Sequence, residues 1–383
     1  MADAYWVLQK IMKVGFWTPG KTYQTLKVEI LEAIDRVCSA GELVMGDYGK
    51  DITRFEQRMA EYLGVKYFVM TGSGTQALFL VYKTLLKPED EVITVSHTFI
   101  ATIDQIKAVG ATPVLVDIGD DGLIDPREIE KAITPKTRMI VPVHLEGKMC
   151  DMFEITRIAQ KHNLLVVEDA AQALGASIVH DESPAGKVMS GSIGIAGCFS
   201  FYPAKILGSL GNAGGVATDD ERLAIAVRNR GSSYRFAPLE ERDWGYNLEP
   251  DNLQAAICNI KFNHLEETLA QRKEIAERYL EAFKDLRLIL PPNQEGRVWQ
   301  DFILRLTETW EKVEFLRHLE ENGIGFLGHD LVPNHKYPLL GLNVSLPETE
   351  RYIKQQVRIP CNPDLTNEEV EYVIRVICDF YAK

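Results

Sequence analysis

The sequence predicts an α/β fold with a mainly parallel sheet, followed by a smaller α+β domain. Three observations predict it. Short apolar runs alternate with segments of helical length from about residue 67 to residue 218. Tracts rich in Gly, Ser and Thr, or carrying carboxylates, stand where several of those runs end. Beyond residue 250 the alternation stops and a long amphipathic stretch begins.

The first helix is expected where Leu26, Ile30, Ile34 and Val37 recur at helical spacing until Ala40-Gly41 closes it. Phe55, Met59, Tyr62 and Leu63 repeat the pattern before Gly64. Strand-like runs follow at residues 67–70, 91–95, 113–117, 139–143, 164–168, 197–201 and 215–218, with helical segments such as 75–86 and 99–109 between most of them. In such a sheet, ligand chemistry gathers in loops at the carboxyl ends of strands. The tracts 71–75, 96–102, 168–172 and 200–205 stand there, so four loops spread over more than a hundred residues can share one crevice. Past residue 250, a helix is expected over 263–286, with Leu265, Leu269, Ala276, Tyr279, Leu280 and Phe283 on one side. Pro291-Pro292 breaks the chain, a strand is expected at 302–306, and helices are expected at 310–321 and 368–381. The division expected is a large domain over 1–250 and a small one over 251–383.

A chain of 383 residues exceeds one simple core and can bury an active site. Its formal net charge of -13 repels nucleic acid and anionic membranes, whereas a small anion bound by a local cluster of donors is still permitted. The six cysteines lack the close pairs of zinc ribbons or disulfide frameworks and read as thiols of a reducing compartment. No apolar stretch in the first twenty residues has the length of a signal peptide or membrane helix, so a cytoplasmic enzyme is expected. No His-Cys-Asp cluster has ligand spacing, so no metal is expected.

Lys205 lies in Phe-Ser-Phe-Tyr-Pro-Ala-Lys-Ile-Leu-Gly, residues 199–208, after an apolar run and before a glycine-rich tract. A lysine in such surroundings can shed its proton near neutral pH and act as an amine nucleophile; alone, the signal is weak, since most lysines are solvated surface charges. Thr71-Gly72-Ser73-Gly74-Thr75 joins a strand to a helix. It can hold a phosphate at the positive helix end, or be an ordinary turn with a capping hydroxyl. It fits neither the Walker loop nor the dinucleotide fingerprint, whose spacing fails at Ala77. Asp169, with Glu168 at the end of an apolar strand, reads as a helix cap or as the partner of a protonated cofactor ring nitrogen. Phe99 reads as core or as a cofactor platform, and His97 and His144 as hydrogen-bonded structural residues.

Taken together, these tracts resemble the DegT/DnrJ/EryC1/StrS sugar aminotransferases, which use pyridoxal 5'-phosphate (PLP) and adopt the aspartate aminotransferase fold (PLP fold type I), with a seven-stranded large-domain sheet. The resemblance runs from about Tyr23 to the C-terminus. It rests on Ser-Gly-Thr-x-Ala-Leu at 73–78, Thr-Phe-x-Ala-Thr at 98–102, Gly-Ala-x-Pro-Val at 110–114, Val-His-x-x-Gly at 143–147, Glu-Asp-Ala-Ala-Gln at 168–172 and the lysine tract. It implies that Lys205 forms the Schiff base and shuttles the proton, and that Asp169 holds the pyridinium proton. Phe99 is implied to stack on the ring and Gln172 to contact its 3-hydroxyl. Gly74, Thr75 and Ser200 are implied to hold the phosphate, helped by Asn247 from a second subunit, which makes a homodimer the minimum assembly.

Three departures from the family pattern stand out. Gly211-Asn212-Ala213-Gly214 replaces Gly-Asp-Gly-Gly, Glu249-Pro250 replaces Arg-Leu, and residues 329–335 diverge from Tyr-Pro-x-Pro-Leu-His. The Tyr-Pro-x-Lys-x-Leu-Gly form resembles members that aminate the 3-position of a keto-sugar, with L-glutamate as donor. The implied function is amino transfer to a nucleotide-linked deoxysugar on the way to surface polysaccharides or antibiotics. The rival readings are a PLP-dependent sugar dehydratase, which carries His at the Schiff-base position where Lys205 stands, and a noncatalytic regulatory relative.

Overall fold

The computed structural model describes residues 12–44, 49–180, 183, 185–328 and 332–382. The helix Lys27–Ala40 buries Ile30, Ala33 and Val37, and ends where Gly41 takes a left-handed φ of 70°. Lys50–Leu63 buries Ile52, Phe55, Met59 and Leu63, and ends the same way at Gly64, φ 71°. Both pack against the helix Asn252–Asn263.

The strands in chain order are β1 (Tyr67–Thr71), β2 (Glu91–Val95), β3 (Thr112–Val116), β4 (Thr137–Ile140), β5 (Leu165–Asp169), β6 (Ser177–Val179), β7 (Lys187–Met189), β8 (Ala196–Ser200), β9 (Gly214–Thr218), β10 (Leu288–Ile289), β11 (Phe302–Leu306) and β12 (Gln356–Ile359). The large sheet has seven strands in the order β1-β9-β8-β5-β4-β2-β3. Pairings from β8 through β5, β4 and β2 to β3 are parallel, whereas β9 runs antiparallel to both β8 and β1. Residues 201–213, between β8 and β9, contain no helix, and a parallel return needs a longer crossover, so β9 comes back reversed. The other six strands point one way, and their carboxyl ends share one edge.

Alternate strand residues face opposite layers. Met70, Ile93, Phe199 and Ala217 enter one core, and Val69, Val92, Cys198 and Val216 the other. Burial on both faces explains why these strands read as continuous apolar runs. The expected strand 139–143 is cut short, because β4 ends at Ile140 and Pro142 has no N–H to donate. Val143 still bridges to Asp169.

The C-terminal layer is the antiparallel sheet β10-β11-β12 with the helices Leu265–Phe283, Lys312–Glu321 and Asn367–Tyr381. The expected helix over 263–286 starts two residues later, since the chain turns at His264 after the preceding helix. Leu265 and Leu269 pack into the large core, while Ile275, Ala276, Tyr279 and Phe283 pack into the small one, so one helix joins both. The segment before Pro19 docks on the C-terminal layer: Val14 pairs with Ile324 and sits in the small core. The β6–β7 hairpin had no sequence signal, being two three-residue strands without a full apolar run. No helix among the described residues is long and apolar enough to cross a membrane.

Candidate active site

At the carboxyl edge of the large sheet lies a cavity of about 570 Å³, lined by Gly74, Thr75, Phe99, Asp169, Gln172, Ser200 and Lys205, among others. All four loops expected to converge contribute to it. Its opposite wall comes from Phe16 and Trp17 of the N-terminal segment and from Gln300, Asp301, Arg358 and Asn362 of the C-terminal layer. That wall had no signal in the sequence, because it depends on how two distant stretches dock.

One part of the cavity is lined by the start of the helix Gly74–Leu85. Ser73 caps it, its Oγ accepting the Gln76 N–H at 3.2 Å. The N–H groups of Gly74 and Thr75 belong to the first turn and have no intrahelical partner, which leaves them aimed at an anion together with the positive end of the helix dipole. The fit is close. A Cβ on Gly74 would stand 2.8 Å from the Ser200 Cβ, and one on Gly214 would stand 2.3 Å from the Ser73 carbonyl carbon. Gly214 pairs with both Thr71 and Ser200, so a bare backbone lets β9 bring the two halves of this cradle together. The capping-turn reading and the anion-cradle reading thus coexist in one structure.

Asp169 ends β5 and is nearly buried. Its Oδ2 accepts the Thr102 hydroxyl at 2.7 Å, and its Oδ1 accepts the Ala171 N–H at 3.2 Å. Burial raises its pKa, while the Thr102 and Ala171 hydrogen bonds and the positive charge of Lys205 pull the other way. No helix follows Asp169, so the helix-cap reading fails there. Neighbouring Glu168 is fully buried and structural: it accepts the N–H groups of Gly191, Ile193 and Gly194 at 2.7–2.8 Å. His144 completes this knot, its Nδ1 accepting the Cys150 N–H at 3.1 Å and its Nε2 lying 2.8 Å from Glu168. That geometry places the ring proton on Nε2.

Lys205 sits in a loop closed at its neck by the Ser209 N–H and hydroxyl, both donating to the Phe201 carbonyl at 2.8 and 2.7 Å. Burial lowers its pKa, with Asp301 and Asp169 opposing and Arg358 adding to the lowering. The free-amine form is therefore more accessible than for a surface lysine. The Gln172 Oε1 accepts the Glu146 N–H at 2.9 Å, which leaves its amide N–H₂ as the group free to face the cavity. Phe99 is 67% exposed, so it is not core. Its loop is pinned by Asn334, which donates to the Ser96 and Thr98 carbonyls at 2.9 and 2.8 Å, and by His335, whose Nδ1 lies 2.8 Å from the Ser96 hydroxyl. His329, from the divergent segment, lies outside the described residues. His97 is structural, its Nδ1 bonded to the Gly122 carbonyl at 2.9 Å; burial lowers its pKa to about 4 against the pull of Glu146. Asn247 is exposed and does not line this cavity.

The donor set fits PLP: an anion cradle, a buried carboxylate for a ring nitrogen, an amide donor, an exposed aromatic and an amine of lowered pKa in one cavity. The sequence model of the DegT/DnrJ/EryC1/StrS aminotransferase family matches residues 24–378. The chain belongs to this family. It is accordingly a PLP-dependent aminotransferase of fold type I.

Among its relatives is the dTDP-3-amino-3,6-dideoxy-alpha-D-galactopyranose transaminase of Aneurinibacillus thermoaerophilus, 39% identical over 91% of this chain and 94% of that one. A pleiotropic regulatory protein of Geobacillus stearothermophilus is 36% identical over 97% of this chain and 99% of its own length. Among solved structures, DesV of S. venezuelae in complex with a ketimine intermediate superposes with a TM-score of 0.89 at 34% identity, covering 97% of this aminotransferase and 99% of DesV.

Proposed function

We propose that this aminotransferase moves an amino group from L-glutamate to the C3 keto group of a nucleotide-linked deoxysugar. The observation that carries the reading is Lys205, an amine of lowered pKa standing in one cavity with Asp169 and the Gly74-Thr75 cradle. Bound PLP supplies the electron sink for charge left at the carbon that loses its proton. Gly74, Thr75 and Ser200 would hold its phosphate, Phe99 would shield its ring, and Gln172 would donate to its 3-oxygen. Asp169 would hold a proton at the ring nitrogen, and its hydrogen bonds from Thr102 and Ala171 favour its anion against the effect of burial. Lys205 Nζ, an amine of lowered pKa in this cavity, would serve as the base that takes and returns the proton of the amine-bearing carbon.

The sugar reading is supported by the Aneurinibacillus relative, whose name specifies a 3-amino dTDP-sugar. The assembly proposed is a homodimer in which Asn247 completes the partner's phosphate site. Support comes from its surroundings, where Phe236, Leu239 and Trp244 are 51%, 79% and 90% exposed on a segment that offers large apolar side chains to a second surface. The Geobacillus relative's name, a pleiotropic regulatory protein, supports a second reading, a regulatory role. One assay separates them: 2-oxoglutarate release from glutamate with dTDP-, UDP- and GDP-linked 3-keto and 4-keto sugars. Turnover of a 3-keto sugar is expected, abolished in Lys205→Ala together with borohydride-fixed PLP. A wild-type protein that binds PLP and turns over none of the panel supports regulation, and turnover of 4-keto sugars alone rejects the C3 assignment.

A further inference from the structure

The loop that carries Lys205 is held at its neck by Ser209, but its apex is held from the other side of the cavity. Gln300, two residues before β11 and 8% exposed, accepts the Ile206 N–H on its Oε1 at 3.1 Å and donates from its Nε2 to the Ala204 carbonyl at 2.9 Å. One side-chain amide thus grips the peptide groups on both flanks of the lysine. Lys205 N–H is itself turned inward to the Tyr202 carbonyl at 2.8 Å. Two bonds from one planar amide fix the orientation of the backbone from which the lysine side chain springs, as a single bond would not.

The residue after Gln300 reinforces the arrangement. Asp301 accepts from Arg358 Nη1 at 2.9 Å, and both charges act on the Lys205 amine in opposite directions. Gln300 and Asp301 are fixed to the C-terminal layer through β11, and Arg358 through β12, which pairs with it. The C-terminal layer therefore reaches across the cavity to the loop of the nucleophile.

We infer that Gln300 is a positioning residue for Lys205, setting where its amine stands and coupling that placement to the C-terminal layer. The inference rests on Lys205 being the Schiff-base lysine, and the test separates the two claims. Cofactor-free wild-type protein and the variants Gln300→Ala and Gln300→Glu are mixed with PLP, and the growth of the near-visible band is timed before borohydride fixation and peptide mapping. If the wild type fixes no PLP on Lys205, the reading of the site fails.

If it does, Gln300→Ala is expected to form the band at least tenfold more slowly, with kcat lowered and KM for both substrates within about twofold. Gln300→Glu keeps the acceptor for Ile206 but donates to Ala204 only when protonated. Its band formation is expected to recover toward the wild-type rate as pH falls, a dependence that loss of packing alone does not produce. Wild-type rates in Gln300→Ala, or a Gln300→Glu rate that does not recover at low pH, overturn the inference. The second criterion decides alone where the alanine variant does not fold.

Discussion

Thr102 shows how much one hydroxyl can decide at the residue scale. It is the closest donor to Asp169, at 2.7 Å, in a place where burial alone favours the protonated acid. Thr102→Val keeps the shape and removes the donor, so the Asp169 pKa rises further. A carboxyl whose pKa rises loses its charged form at higher pH, so the acidic limb of the kcat/KM profile is expected to move upward. A pH-rate series on the two proteins checks it; coincident limbs reject the role assigned to Asp169. Thr102 was visible in the sequence only as the last letter of the 98–102 motif. The partnership joins residues 67 positions apart, and no spacing argument reaches that far. Lys205 and Asp169 drew notice because each follows an apolar run, where a polar residue needs a chemical reason, whereas Gln172 entered only through the family motif at 168–172. Gln300 drew none, because a glutamine inside an ordinary stretch carries no such contrast.

Among the elements, β9 joins the two halves of the anion cradle. Its first residue, Gly214, lies between Thr71 and Ser200, and a methyl group there would meet the backbone of Ser73 and Gly74 at 2.3–2.4 Å. No flexible side chain stands in the way to yield, so the helix start itself must shift. Gly214→Ala is expected to weaken PLP binding more than tenfold, read by equilibrium dialysis, while the far-ultraviolet spectrum stays that of the wild type. Wild-type affinity would mean that the cradle does not bind the phosphate. The strand pattern was legible because both faces are buried, yet direction was not. A run of Gly-Gly-Val-Ala-Thr reads the same whether parallel or reversed, and only the short connection from β8 decides it. The boundary of β4 failed to a local cause, Pro142. The β6–β7 hairpin was too short to leave a period.

For the whole molecule, the question is whether one chain makes a complete site. Asn247 is exposed and stands outside the cavity its own chain forms, so the proposed dimer makes each site from two chains. Lys205→Ala and Asn247→Ala, each inactive or nearly so alone, are expected to regain activity when mixed, unfolded and refolded together. A heterodimer then has one site with both defects and one with neither, and random pairing gives about a quarter of wild-type activity. No recovery in a mixture shown to contain heterodimers means that the sites are not shared. The sequence indicated the helix near 263–286 but not that it packs into two cores, nor the return of Val14 to Ile324. Such contacts depend on the closed form of the chain, not on any local pattern. The wall of the cavity that faces Lys205 is assembled from this returning N-terminal segment and the C-terminal layer, while the reactive groups hang from the large sheet. The two are separable in mechanical terms: a substitution at Trp17, Leu327 or Asn362 alters the shape offered to a ligand without touching the lysine, its carboxylate or the cradle. Selectivity can therefore be redesigned on one wall while the chemistry on the other stands unaltered.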